Sequence, residues 1–164
     1  MKTPIPTAPE RKNAPHERLK AWQACYELTM AVFRASITWS NPELDPHEDL
    51  EDDFGGPDGE GMSRDARSYA QAATVALMTG VREEDIQDFW RCCEDASASL
   101  ARLASELLIS RDMNLIGPRT YGELEALRDH AARLTWGLSA SLKKKMAAQN
   151  GKTLRSGKKT GGSR

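Results

Sequence analysis

The chain has 164 residues, of which 39% are hydrophobic, 29% are charged and only 6% are aromatic. A chain of this length fits one domain that buries roughly 70% of its unfolded surface and needs no disulfide or structural metal. Because no stretch approaches the roughly 20 apolar residues that span a bilayer and no signal-peptide core is present, we expect a soluble, cytoplasmic protein without a membrane partner.

The formal net charge of −1 conceals two blocks of opposite sign. Residues 41–60 contain nine Asp and Glu residues and no Lys or Arg, whereas residues 143–164 contain eight Lys and Arg residues and no acid. Electrostatic fields act locally, so the small net charge does not indicate what either block binds.

The three cysteines are Cys25 and the adjacent pair Cys92 and Cys93. An odd number without Cys-x-x-Cys spacing fits neither a disulfide framework nor a zinc site. We therefore expect small apolar residues in a reducing compartment, with a vicinal redox pair at Cys92 and Cys93 as the alternative.

The first half of the chain predicts two helices separated by an acidic loop. Residues 1–14 contain several prolines and are expected to form a flexible arm, and a first helix starts near Pro15, whose fixed φ suits a first helical turn. Residues 41–62 are acidic and rich in glycine, which predicts a mobile loop. The first helix carries an apolar stripe on one face, formed by Leu19, Trp22, Tyr26, Met30, Phe33 and Ile37.

A second helix is predicted from Ser63, as its N-cap, to about Met78, with Gly80 as its C-cap. It is rich in alanine, which allows two backbones to approach closely. The acids at residues 83–85 favour the N-terminus of a third helix. The apolar seam of that helix consists of Ile86, Phe89 or Trp90, Cys93, Ala96, Leu100, Leu103 and Leu107.

A fourth helix is predicted to start at Thr120, since Thr120 and Glu123 have the spacing of a capping box. Gly, Ser, Thr and Lys dominate after Lys145, so residues 146–164 are expected to form a disordered basic tail. Together the four helices, without a strand pattern, predict an all-α, antiparallel up-down four-helix bundle over residues 15–145. The apolar face of the fourth helix consists of Leu124, Leu127, Ala131, Leu134, Leu138 and Leu142.

Candidate catalytic groups do not converge in the sequence. The histidines His16, His47 and His130 lack metal-binding spacing. The acids Glu83, Glu84, Asp85 and Asp88, followed by Glu94 and Asp95, depart from paired Glu-x-x-Glu spacing, and acids collect at helix N-termini for dipole reasons alone. We predict no enzymatic activity and no cofactor, with an all-α, Mg²⁺-dependent nucleotide pyrophosphatase as an alternative.

Basic residues provide a different hypothesis, that the protein binds a phosphate backbone. Cations without local acids attract phosphates, and the basic tail lacks the aromatic residues that would stack on bases, so binding there is expected to be insensitive to sequence. The alternative is that these residues only keep the chain soluble. The candidate nucleic-acid-binding residues are Arg11, Lys12, Arg18, Lys20, Lys143, Lys144 and Lys145.

Several segments resemble the small four-helix-bundle proteins encoded in intervening sequences of bacterial large-subunit rRNA genes. The accessory variability determinant of diversity-generating retroelements (Avd) belongs to the same superfamily. The resemblance covers residues 17–145. The segments that carry it are Glu17–Gln23, Tyr26–Leu28, Val32–Arg34, Asp88–Arg91, Ser97–Leu103, Arg111–Ile116 and Gly137–Leu142.

This resemblance implies a homopentameric barrel with positive surfaces that binds a reverse transcriptase and RNA or DNA without catalysis of its own. Arg67 fits the first arginine of the family's second helix, which adds it to the candidate nucleic-acid-binding residues. A freestanding protein of the rRNA intervening-sequence type, without a polymerase partner, is the alternative. The alanine-rich second helix, with Trp39 and Trp136 expected to be exposed, suggests more apolar surface than one bundle hides.

Overall fold

The computed structural model describes residues 14–37, residue 39 and residues 59–157, with side chains described as far as residue 149. A short 3-10 helix, Pro15–Arg18, precedes four α-helices, and these described ranges contain no strand. The α-helices are α1 (Lys20–Ser36), α2 (Gly59–Gly80), α3 (Ile86–Asp112) and α4 (Pro118–Gly157). The predicted all-α four-helix bundle is therefore confirmed for this part of the chain.

Each helix packs against two neighbours, in the ring order α1, α2, α3, α4 and back to α1. In each pair of consecutive helices, later residues of one helix contact earlier residues of the other. Thr29 meets Thr74 while Phe33 meets Arg67. On the other side of the bundle, Glu94 bonds to Ser139 while Arg111 meets Tyr121. The connected helices are thus antiparallel, and the chain runs up and down the bundle.

The core is built mainly from leucine and alanine side chains. Leu100, Leu103 and Leu107 of α3 are at most 1% exposed and belong to the same buried cluster as Leu28 of α1 and Leu77 of α2, which are fully buried. Burying one such leucine side chain contributes about 1.5–3 kcal/mol. The seam predicted for α3 therefore lies in the core, with its first residues only partly buried.

The face of α1 that enters the core is not the stripe expected from the sequence. Cys25, Leu28 and Val32 are fully buried, with Ala21 and Ser36 on the same side. The larger residues of the expected stripe lie on a second, outer face: Tyr26, Met30, Phe33 and Ile37 are exposed. Small side chains fill the narrow space between α1 and its neighbours, so the largest apolar residues are left outside.

Helix α2 differs from the prediction at both ends. It begins at Gly59, four residues before Ser63, whose buried hydroxyl donates to the Glu60 carbonyl at 3.0 Å, so the N-cap assignment was wrong. Gly80 does end the helix but not with a left-handed cap, since none of the described glycines has positive φ. A Cβ on Gly80 would lie 2.6 Å from Cδ2 of Phe89, so glycine here permits the close approach of α2 and α3.

Helices α3 and α4 begin with different capping residues. The Asp85 carboxylate accepts a hydrogen bond from Gln87 N at 2.8 Å and caps α3. Asn114, at φ 59°, makes the turn between the helices, and α4 begins at Pro118 rather than Thr120. Glu123 pairs with Arg119 at 3.0 Å, which replaces the predicted capping box.

The predicted tail is partly helical, because α4 continues to Gly157, twelve residues beyond the expected end at Lys145. Residues 158–164, the N-terminal residues 1–13 and most of the predicted acidic loop lie outside the described residues; residues 59–62 of that loop form the first turn of α2. Trp136 is 73% exposed, as expected, whereas Trp39 is only 6% exposed, contrary to the expectation. None of the helices in the described ranges is long and apolar enough to cross a membrane.

Candidate functional site

The topology brings the two basic stretches of the chain to the same end of the bundle. Four alternating helices return the chain to its starting side, and Cys25 of α1 lies opposite Thr135 of α4, with Sγ and Oγ1 4.0 Å apart. Arg18 lies seven residues before Cys25, and Lys143 lies eight residues after Thr135. Because α1 and α4 are antiparallel, both steps lead toward the same end of the bundle. The cations of the two helices are therefore level with each other.

We call this set of residues the basic edge: Arg18, Lys20, Lys143, Lys144 and Lys145. All five side chains are exposed, and they lie where α1 begins and where α4 passes it. Compact ammonium groups on flexible stems suit contacts with phosphates of variable position. Of the predicted nucleic-acid-binding residues, these five lie at the same end of the bundle.

A signal for this convergence is present in the sequence. All nine lysines of the chain lie within residues 1–20 or 143–159, and none lies between. Read separately, these stretches are two basic tails. In an up-down bundle, an even number of helices begins and ends at the same end of the bundle, so the two stretches together predict a single basic region.

The acids at this end of the bundle lie on its other side, where α2 is connected to α3. Glu83 and Glu84 are exposed, Asp85 caps α3, and Asp88 pairs with Arg91 at 3.0 Å. Because α2 and α3 form the opposite side of the ring from the junction of α1 and α4, the basic edge faces an acidic one across the bundle. Among the described residues, no three His, Cys, Asp or Glu side chains come together as metal ligands.

The far end of the bundle carries charges of both signs, since Arg64 pairs with Glu60 and Arg119 pairs with Glu123 there. Partial burial, and to a lesser extent Asp65 of α2, raise the pKa of Glu106 on α3. The acidic residues 41–58 are joined to the bundle at this end, between Ser36 and Gly59.

Arg67 and the N-terminal cations do not belong to the described basic edge. The Arg67 guanidinium donates to the carbonyl and hydroxyl oxygens of Ser63, each at 3.1 Å, and lies 5.9 Å from the centre of the Phe33 ring. Phe33 is thirteen residues beyond Lys20 on α1, a rise of about 20 Å. Arg11 and Lys12 lie outside the described residues.

An apolar groove between α1 and α2 was not recognised in the sequence. Its volume is about 320 Å³, and no charged residue lines it. The Tyr26 ring stacks on Trp22 with centroids 5.2 Å apart, and hydrogen-bonded Thr29 and Thr74 lie at 2.9 Å from each other between the helices. The sequence signal for the groove was the stripe of large apolar residues on α1, because the helix also has a second apolar face of smaller residues that enters the core. The lining residues are Trp22, Tyr26, Thr29, Met30, Phe33, Gln71, Thr74, Val75 and Met78.

The cysteines are free thiols. Burial raises the pKa of Cys25 to about 11, opposed by its contact with Thr135, and burial raises the pKa of Cys93 to about 12. Burial and nearby acids, Glu83 first among them, also raise the pKa of Cys92. Thiols with raised pKa values stay protonated near neutral pH, and a protonated thiol is a poor nucleophile.

The two histidines in the part of the chain that the structure describes lie on different elements. The His16 ring packs edge-on against Trp22 with centroids 4.8 Å apart, and His130 is exposed on α4. His47 lies outside the described residues. The two described histidines therefore provide no common site.

No protein-family model matches the chain, and no curated protein matches it. The resemblance to the rRNA intervening-sequence proteins and Avd therefore rests on the motifs of the sequence.

Proposed function

We propose that this protein is a non-catalytic scaffold of the Avd-like four-helix-bundle type that binds nucleic acid through its basic edge. The observation that carries the proposal is the convergence of Arg18, Lys20 and Lys143–Lys145, five exposed cations, at one end of the bundle. Each cation that contacts a phosphate releases condensed counterions, which drives binding without reading the base sequence.

The charges on the two sides of this bundle end favour one orientation of the bound polyanion. Phosphates are attracted to the basic edge and repelled by Glu83 and Glu84, which are exposed on the opposite side of the same end. A charge distribution of this kind orients a protein during diffusional encounter and raises its association rate. We expect nucleic acid to approach the bundle at the junction of α1 and α4.

The polymerase partner is proposed from the resemblance. In that setting the bundle holds a reverse transcriptase and its RNA or DNA together, in the cytoplasm and without a cofactor. The alternative within the same superfamily is a freestanding protein of the rRNA intervening-sequence type. A reverse transcriptase gene beside this reading frame favours the first, and its absence favours the second.

Self-association as a homopentamer is the second part of the proposal. Apolar side chains outside the groove support it: Trp136 is 73% exposed on α4, and Leu108, Ile109 and Met113 are 41–44% exposed at the end of α3. Exposed apolar clusters mark contact surfaces in soluble proteins. Light scattering coupled to gel filtration should give about 90 kDa, five times the 18.1 kDa of one chain. A mass of one chain at all concentrations would contradict the pentamer.

The binding proposal is tested by titrating the full-length protein into a 20-nucleotide single-stranded RNA between about 50 and 200 mM salt. Five phosphate contacts on a single strand predict that log affinity falls against log salt concentration with a slope near −3.5, at about −0.7 per contact. Replacing the RNA by an unrelated sequence should change the affinity little. A flat salt response would show that phosphate contacts do not drive the binding.

A further inference from the structure

The groove between α1 and α2 has the character of a site for an extended apolar segment. It is open along the outer face of α1, from Trp22 to Phe33, and three of its lining residues are aromatic. Eleven residues of helix separate Trp22 from Phe33, a length of about 16 Å. Tyr26 is 48% exposed although its ring is already held by stacking on Trp22, so an aromatic platform faces outward at low cost in side-chain entropy.

The chain itself carries a segment of matching chemistry just before the described residues. Residues 4–9 read Pro-Ile-Pro-Thr-Ala-Pro, without a charge, and Pro6 and Pro9 have PxxP spacing. Segments of this kind adopt polyproline II with little loss of entropy, and they are bound by grooves lined with aromatic residues. In that conformation Pro4 to Pro9 spans about 16 Å, the length of the groove.

The described chain begins next to one end of the groove. The Ala14 backbone N–H donates to the Glu17 carboxylate at 3.0 Å, and the His16 ring packs against Trp22, which lines the groove. Pro9 is five residues before Ala14, and five extended residues reach about 16 Å. The segment therefore joins the bundle at the Trp22 end and is long enough to continue toward Phe33.

We propose that residues 4–9 dock in the groove between α1 and α2 of the same chain. Prolines pack against the rings of Trp22, Tyr26 and Phe33, and the uncharged segment matches the uncharged lining of the groove.

Methyl NMR of the full-length protein, labelled at its six methionines, tests the docking. Met30 and Met78 line the groove, whereas Met113 is exposed at the far end of α3. Replacing Pro4, Pro6 and Pro9 together by glycine should shift the Met30 and Met78 resonances and leave Met113 unchanged. Adding a peptide of residues 1–13 to this variant should restore the shifts, and the same peptide with the three glycines should not.

A groove variant and a dilution series distinguish docking within one chain from occupation of the groove by a second copy. Tyr26→Ala removes an exposed ring without opening the core, so the proline replacements should then have no further effect on Met30 and Met78. Resonances that are unchanged by the proline replacements in the otherwise unaltered protein would overturn the proposal. Shifts that depend on protein concentration would also overturn it, because a second copy would then occupy the groove.

Discussion

Replacing Leu103 by alanine is expected to lower the free energy of unfolding by about 3 kcal/mol, within the 2–5 kcal/mol typical of buried leucines. Leu103 is fully buried at the middle of α3, between Leu100 and Leu107, where the bundle brings its helices together. The alanine variant loses apolar burial and leaves a cavity that rigid neighbouring helices cannot fill. Urea unfolding followed by circular dichroism measures the change.

The matched control is Leu108→Ala, which makes the same substitution on the same helix. Leu108 is 41% exposed, so its truncation should lower the free energy of unfolding by less than about 1 kcal/mol. Equal losses for the two variants would show that the side of α3 assigned to the core is wrong. An increase in stability for Leu103→Ala would contradict the packing itself.

Replacing Lys143, Lys144 and Lys145 together by glutamine should weaken RNA binding about 100-fold at 0.1 M salt. Each phosphate contact adds about 0.7 to the slope of log affinity against log salt, so three lost contacts reduce the slope by about 2. When the salt is lowered from 1 M to 0.1 M, the variant therefore gains about 100-fold less affinity than the unaltered protein. The three side chains are exposed on α4, so their replacement should leave the free energy of unfolding nearly unchanged. Fluorescence anisotropy of a labelled RNA measures the affinity.

An arginine variant with the same loss of charge provides the control. Arg34, Arg64 and Arg119 are exposed at the opposite end of the bundle, where Arg64 and Arg119 pair with Glu60 and Glu123. Changing these three to glutamine also lowers the net charge by three. It should reduce RNA affinity far less than the lysine variant. A similar loss in both would mean that net charge, and not the basic edge, governs binding.

The buried seam of α3 was predictable because Leu100, Leu103 and Leu107 recur at steps of three and four and so lie on one face. Helix α1 was harder, since it has apolar residues on two faces. Periodicity marked the stripe from Trp22 to Ile37, but it does not reveal which face a neighbouring helix covers. Close packing in the bundle selected the small residues Ala21, Cys25 and Val32 for the inside.

Helix boundaries depended on contacts that lie outside the local sequence. Ser63 has the residue type of an N-cap, yet α2 begins at Gly59 and buries Ser63. Thr120 and Glu123 have capping-box spacing, but Pro118 starts the helix first and Arg119 takes up the Glu123 carboxylate. Gly80 was correctly predicted at the end of a helix. A glycine is needed there because Phe89 of α3 lies too close for a Cβ, and that contact exists only in the packed bundle.

The basic edge was predictable in its residues but not in its assembly. The sequence marks Lys143–Lys145 as cations without nearby acids, and Arg18 and Lys20 as further cations beside the single acid Glu17. Only the up-down topology, with Cys25 opposite Thr135, brings the two stretches level. The same topology sets Arg67 apart, because Phe33 holds it near the other end of α1.

The salt dependence of RNA affinity in the lysine and arginine triple variants tests the role of the basic edge most directly. The lysine variant should show a slope of log affinity against log salt that is shallower than that of the unaltered protein by about 2, and the arginine variant should keep the original slope. Equal slopes in all three proteins would contradict the assignment of Lys143–Lys145 as phosphate contacts.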